Sequence, residues 1–351
     1  MKTSIVIATY NGSRFIKEQL ESFIHQTVLP SEIVISDDGS TDSTIEQVES
    51  FIKQYAHLPI QFKMIKNDTD NHGVLGNFQN AAMNASGEYI FFCDQDDIWF
   101  PNKVERIVDI MDSHEEQVVI HNAQVFKEES DGSFHPIEKY LMNEYPFDEN
   151  GLYKINGSGA VWSSFYYCLI QGMCMCVKRE YLFSILPFSK GSGHDYWILF
   201  CAAADNSLMA VKDVLAYYRI HSNNTAGISE FKKKRPLHDK IRTFHRRGEE
   251  SIVKQYVWYK DTTAYLGNRP ISDDLIRILV AFFTQNRIAA VSKNKLFGIY
   301  DLVEAKNNGV YKVDGNIIFL HDIEFVLTHS HRSRKTFLDN IDKYLRKTEK
   351  E

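Results

Sequence analysis

Four short apolar runs, each closed by a polar cluster and followed by a stretch of helical period, restrict this 351-residue chain more than any other feature. The runs are Ser4–Thr9, Ile33–Ser36, Phe62–Ile65 and Tyr89–Cys93. Between them, Phe15, Ile16, Leu20, Phe23 and Ile24 share one helical face, and Ile45, Val48, Ile52 and Tyr55 share another. Gly73 starts a third helix with Val74, Leu75, Phe78, Ala82 and Ala85 turned inward. Pro101 opens a fourth, with Val104, Ile107, Val108 and Met111 on one side. Ser43 and Glu46 have the spacing of a capping box. Strands and helices alternating at this interval predict an α/β layered sheet whose strands run parallel.

Parallel strands carry their C-terminal tips to one edge, where open α/β sheets bind ligands. The tips here are Thr9-Tyr10-Asn11, Asp37-Asp38-Gly39-Ser40 and Asp94-Gln95-Asp96-Asp97. Three carboxylates so close repel one another unless water, donors or a cation neutralise them. Asp94-x-Asp96 suits a hard divalent cation with oxygen ligands, Mg²⁺ or Mn²⁺. The same letters also read as a solvated acidic turn ahead of the Pro101 helix. No G-x-G-x-x-G follows the first strand and no G-x-x-x-x-G-K-[ST] occurs, so a nucleotide would be held without either phosphate loop.

Farther along, Val118–Phe126 and Gly172–Val177 read as strands, Glu180–Leu186 as a short helix, Ile198–Ala204 as an apolar helix and Val211–Tyr218 as a strand. The polar segment Lys127–Gly159 reads as a long loop over the cleft, and Arg219–Thr225 as a polar loop. Residues 1–225 carry 16 Lys/Arg against 30 Asp/Glu, and residues 226–351 carry 24 against 16. The chain therefore divides into an acidic first region, 1–225, and a basic, mostly helical second region, 226–351. The acidic balance of the first disfavours nucleic acid as a partner. Five cysteines without C-x-x-C spacing read as buried thiols in a reducing compartment. The absence of a signal peptide and of any 18-residue apolar run predicts a cytoplasmic protein without membrane spans.

The segments Ser4-Ile-Val-Ile-Ala-Thr-Tyr-Asn-Gly12, Glu32-Ile-Val-Ile-Ser-Asp-Asp-Gly-Ser-Thr-Asp42, Asp94-Gln-Asp-Asp-Ile-Trp99, His194-Asp-Tyr-Trp197 and Tyr218-Arg-Ile-His-Ser-Asn-Asn224 stand in an order and spacing that resemble the family 2 glycosyltransferases of the GT-A fold. Within that family they are most similar to rhamnosyltransferases of bacterial surface polysaccharide synthesis. The resemblance covers about residues 1–225. It implies transfer of a sugar, with inversion, from a dTDP- or UDP-linked donor to a glycan or lipid-linked glycan acceptor. It implies that Thr9, Tyr10, Asn11 and Asp38 hold base and ribose, that Asp94 and Gln95 lie at the donor, and that Asp96 holds the metal on the diphosphate. His221 matches a further metal or phosphate contact, and Asp195 the catalytic base. Asn77 stands where many relatives carry an arginine near the diphosphate, and His194 where many carry an acid.

Several of these residues keep a second reading. Asp195 reads also as the N-cap of the Ile198 helix. His221 reads also as an ordinary loop histidine, and Trp99 and Trp197 as core instead of cleft. Tyr10 either stacks on the base or packs, and Asp37 could cap a helix. The basic runs Phe231-Lys-Lys-Lys-Arg235 and Lys240–Arg247 read as a solvated face, or as a surface docking on the anionic inner leaflet where lipid-linked acceptors lie. A sugar nucleotidyltransferase and a non-catalytic nucleotide-sugar-binding protein are the rival functions. The first would want a glycine-rich phosphate loop, and the second could dispense with Asp195.

Overall fold

β1 (Thr3–Thr9), β2 (Glu32–Asp37) and β4 (Tyr89–Cys93) are buried on nearly every residue, as strands covered on both faces must be. They lie in the ten-stranded sheet of a computed structural model that describes residues 2–129, 131–142, 145–157, 160, 164, 169–221, 257, 258, 261, 262, 264–267 and 303. The remaining strands are β3 (Gln61–Lys66), β5 (Ile98–Trp99), β6 (Val118–Glu128), β7 (Phe134–Tyr140), β8 (Leu152–Ile155), β9 (Met175–Lys178) and β10 (Leu208–Ile220). Their order is β3-β2-β1-β4-β9-β6-β10-β5, with β7 on β6 and β8 on β10. β3, β2, β1 and β4 are mutually parallel. β9 runs antiparallel to both β4 and β6, and β10 is parallel to β6. β10 therefore points the same way as β4, and its C-terminal end reaches the same edge.

The helices are α1 (Ile16–Ile24), α2 (Thr44–Tyr55), α3 (Gly73–Met83), α4 (Lys103–Ser113), α5 (Arg179–Ser184) and α6 (His194–Ala204). The expected apolar faces supply the core, with Ile16, Leu20, Phe23, Val48, Phe78, Ala82, Val104 and Ile107 all at most 1% exposed. Val74 is an exception, 49% exposed in the first turn of α3. The Ser43/Glu46 capping box does not form. Asp42 takes its place, accepting the Thr44 N–H at 3.0 Å and the Ser13 N–H at 3.1 Å, which holds its carboxyl down at about 2 despite partial desolvation.

The polar segment after Lys127 is not one long loop. Phe134–Tyr140 pairs antiparallel with β6, and Leu152–Ile155 with β10. Both strands are half exposed, so their pattern lacks the apolar run that marks β1 or β4. Gly172–Cys174 forms a 3₁₀ turn ahead of β9, and Arg219 belongs to β10 rather than to a loop. The chain divides into two compact units, Met1–Phe188 with Gly193–Lys232, and Ser189–Ser192 with Lys233–Glu351. In the second, the Ser189 hydroxyl donates to Asp261 and the Thr262 hydroxyl to the Trp258 carbonyl. The basic runs 231–235 and 240–247 and the apolar face expected at Leu275, Ile278, Leu279 and Phe282 lie outside the described residues.

Candidate active site

Topology builds the site at the tip of β4. After the three carboxylates the chain reverses into β5, whose Ile98 and Trp99 pair with Tyr217 and Ala216 of β10. That two-residue strand brings Arg219 and His221 onto the acidic tip. The Arg219 backbone N–H donates to Asp97 Oδ1 at 2.8 Å, and its Nε–H to the Asp96 carbonyl at 2.7 Å. His221 Nε2 lies 2.9 Å from Asp96 Oδ2, with its ring against Phe15 at 4.5 Å between centroids.

The neighbouring tips contribute backbone and side chains to the same edge. Tyr10 is 56% exposed. Its N–H donates to Gln95 Oε1 at 3.0 Å and its carbonyl accepts from Gln95 Nε2 at 3.1 Å, so the Gln95 amide clasps the β1 tip to the β4 tip. Asn11, at φ 47°, turns its side-chain carbonyl onto the Thr41 N–H at 2.8 Å. Asp38 accepts from Asn67 Nδ2, His72 Nδ1 and the Gly73 N–H, all within 2.8 Å. Asp37 is a structural carboxylate, taking the N–H groups of Gly39 and Ser40 and the Ser40 hydroxyl.

Three residues expected at the ligand are turned into the fold instead. Thr9 is fully buried, its hydroxyl donating to Asp37 Oδ2 at 2.8 Å. Asn77 is buried beneath it and donates to the Thr9 carbonyl at 3.1 Å. Trp197 is 6% exposed, with its indole N–H on the Ile185 carbonyl at 2.7 Å, which makes it core and not cleft. Thr9 and Asn77 hold the strand tip by which they were expected to touch the ligand.

The acidic tip is electrostatically loaded. Burial, then the charges of Asp96 and Asp195, push the Asp94 carboxyl up to about 8. Burial, then Asp96 and Asp94, raise Asp97 well above the carboxylate range, against the Arg219 N–H that favours its charged form. Among the described residues, Asp97 Oδ2 is buried without a partner. Beneath them Lys103 is fully buried, its ammonium 3.5 Å above the centre of the Trp99 ring and donating to the Met173 carbonyl at 2.8 Å. Burial lowers the Lys103 pKa to about 8, against the pull of nearby thiols and of Asp97.

A carboxyl whose pKa is raised on folding stabilises the fold fully below its unfolded value, near 4, and loses that contribution as pH rises through its folded value. For Asp94 the loss runs up to about 8. Asp94→Asn is therefore expected to raise Tm at alkaline pH by roughly 2–4 °C, for about 1 kcal/mol of relieved repulsion, and to leave it unchanged near pH 4. Thermal melts across that range check this, and equal gains at both ends would refute it.

Asp195 lies in the first turn of α6, with Gly193 at the N-cap, so it is not the capping residue. Its Oδ1 accepts the Tyr196 N–H at 2.9 Å, and its charge contributes to the raised Asp94 pKa. His194 anchors that turn. It is 4% exposed, with its ring tilted against Phe78 at 4.0 Å and stacked on Phe92 at 5.3 Å, and burial lowers its pKa.

Among the described residues no group of three or more His, Cys, Asp or Glu side chains forms a complete metal site. Asp96 Oδ2 and His221 Nε2 are a pair of converging donors. A small hard cation that keeps positions for diphosphate oxygens and water takes one or two protein ligands; the carboxylate suits Mn²⁺ or Mg²⁺, and the imidazole nitrogen favours a transition metal such as Mn²⁺ over Mg²⁺. The residues present fit such an ion. Arg219 and Lys103 are the parts sequence reasoning passed over. One stood in a presumed loop and the other at the polar start of a helix, where charged side chains are ordinarily exposed.

Residues 4–168 match the family model described as Glycosyl transferase family 2. An uncharacterized glycosyltransferase of Nostoc sp. is 29% identical over 227 residues, covering 64% of this chain and 66% of its own length. The dTDP-rhamnosyl transferase RfbG of Shigella flexneri is 28% identical over 283 residues, 77% of this chain and 86% of RfbG. An uncharacterized Mycobacterium tuberculosis protein is 37% identical over 139 residues, 38% of this chain and 39% of its own. The chain thus spans just under two thirds of the Nostoc relative and well under half of the mycobacterial one. The crystal structure of S. aureus TarS residues 1–349 with UDP superposes with a TM-score of 0.52 at 15% identity, over 82% of this chain and 71% of that one. The sheet order, the acidic tip and the sequence match agree: residues 4–168 carry the match to Glycosyl transferase family 2, and the sheet they share with β9 and β10 has the GT-A fold.

Proposed function

We propose that this chain is an inverting glycosyltransferase that moves a sugar, rhamnose in our reading, from a nucleoside diphosphate donor to a hydroxyl of a cell-surface glycan or its lipid-linked precursor. The observation that carries the reading is the Asp96–His221 pair on the strand-tip edge, with the separate Asp195 carboxylate close enough for its charge to act on Asp94. The name of RfbG supports rhamnose and a dTDP donor.

Asp96 and His221 would hold a divalent cation, Mn²⁺ or Mg²⁺, whose Lewis acidity offsets the charge developing on the departing diphosphate. Tyr10 offers an exposed ring to the base, while Asn11 and Asp38 line the nucleoside side and Asp94 faces the ribose. Asp195 accepts the proton of the acceptor hydroxyl as that oxygen bonds to the anomeric carbon. The bond from that carbon to the β-phosphate oxygen breaks on the opposite face, and its electron pair leaves with the nucleoside diphosphate. This separates the role of Asp195 from that of a carboxylate pair flanking a glycosidic bond.

Purified protein is incubated with dTDP-rhamnose or UDP-sugars, with Mn²⁺ or with EDTA. Cation-dependent release of nucleoside diphosphate, with an anomerically inverted product by NMR, is expected. Release of pyrophosphate from a nucleoside triphosphate would identify a nucleotidyltransferase instead, and donor binding without turnover a binding protein. The basic runs at 231–235 and 240–247 fit docking on an anionic leaflet, at roughly 1 kcal/mol per basic residue near the surface. Flotation with anionic vesicles should exceed that with neutral ones, and equal recovery removes the membrane from the proposal.

A further inference from the structure

We infer that Arg219 is a positioning residue that aims Asp96 and His221 at one cation; this rests on the reading of that pair as the cation's protein ligands. The Arg219 side chain is 3% exposed, and its polar contacts diverge onto separate elements. Its Nε–H holds the Asp96 carbonyl at 2.7 Å, its own backbone N–H holds the Asp97 carboxylate at 2.8 Å, and a terminal nitrogen donates to Glu18 of α1. The guanidinium lies 4.3 Å from the centre of the Phe134 ring, 5.0 Å from Phe15 and 5.2 Å from Phe126.

The peptide unit that follows Asp96 is thus fixed by Arg219, while the Gln95 clasp on Tyr10 fixes the chain before it. Arg219 is the penultimate residue of β10 and His221 directly follows the strand's last residue, so the strand's end places both. A guanidinium this near a cation would repel it, but its outer end is paired with Glu18, which cancels much of the charge. Lysine cannot substitute, because the role needs a planar group that stacks between rings while it donates in two fixed directions.

The test is Mn²⁺ affinity in the presence of dTDP or UDP, read from the EPR signal of free Mn²⁺, not from turnover. Outer partners of metal ligands typically account for 10–100-fold in affinity, so Arg219→Gln should weaken Mn²⁺ binding by about that factor, and Arg219→Lys should not restore it. Nucleotide affinity in EDTA should stay within about twofold, since the positioning acts on the cation's ligands alone. Equal losses with and without Mn²⁺ would show a merely structural arginine and overturn the inference, as would unchanged Mn²⁺ affinity. Should Arg219→Gln fail to fold, Glu18→Gln decides. Glu18 is 54% exposed, so its loss leaves no buried void, and about threefold weaker Mn²⁺ binding is expected, at the low end for an outer partner. Unaltered affinity in that variant sinks the proposal. If the unmodified protein binds no Mn²⁺ with nucleotide present, the cation-dependent function itself fails, a different result from an intact parent with indifferent variants.

Discussion

Asp96→Ala is expected to lower transfer about a thousandfold, because several kcal/mol of charge stabilisation on the leaving diphosphate would depend on the cation we propose it holds. The substitution removes one of the two converging donors, the carboxylate oxygen 2.9 Å from His221 Nε2. Its effect on the fold should run the other way. Asp96 is a cause of the raised Asp94 and Asp97 pKa values, second only to burial, so its removal relieves like-charge repulsion. Tm is expected to hold or rise while the Mn²⁺-dependent thermal shift disappears, the usual exchange of stability for activity at a charged site. Turnover within tenfold of the parent, with the Mn²⁺ shift intact, would remove Asp96 from the cation.

Asp195→Asn should cost between about 10² and 10⁴ in kcat, the range for loss of a positioned general base. Asparagine keeps an oxygen for the Tyr196 N–H, so the first turn of α6 has no reason to change. Donor affinity is expected to stay level or improve slightly, because the Asp195 charge adds to the burden on Asp94. Single-turnover kinetics with saturating donor separate the two effects. Full transfer by this variant would exclude Asp195 from that role.

The first four strands were legible because each is written locally, in a run such as Tyr89–Cys93 that is apolar throughout and stops on carboxylates. Asp96 was legible at a strand end, whereas His221, in a stretch that read as a polar loop, was joined to it at a metal only through the family resemblance, and their direct contact was not legible. Their contact depends on β5, two residues long, whose partner lies in β10. No periodicity marks a strand of that length. Arg219 and Lys103 were missed for a related reason. Arg219 becomes a buried residue only once Phe15, Phe126 and Phe134 surround it and Glu18 pairs with it. Lys103 is drawn inward by the Met173 carbonyl and the Trp99 ring. Trp197 failed in the opposite direction: its motif is shared, but local packing gives its N–H to Ile185.

The pairing of β5 with β10 also sets when the site comes into being. β1 to β4 close through neighbouring segments, and short loops form early on a growing polypeptide. Asp96 has no histidine opposite it until His221 has left the ribosome and β10 has docked. A nascent chain halted before that point lacks the His221 contact on Asp96, so the arrival of β10 is the step of synthesis that completes the cation site proposed above.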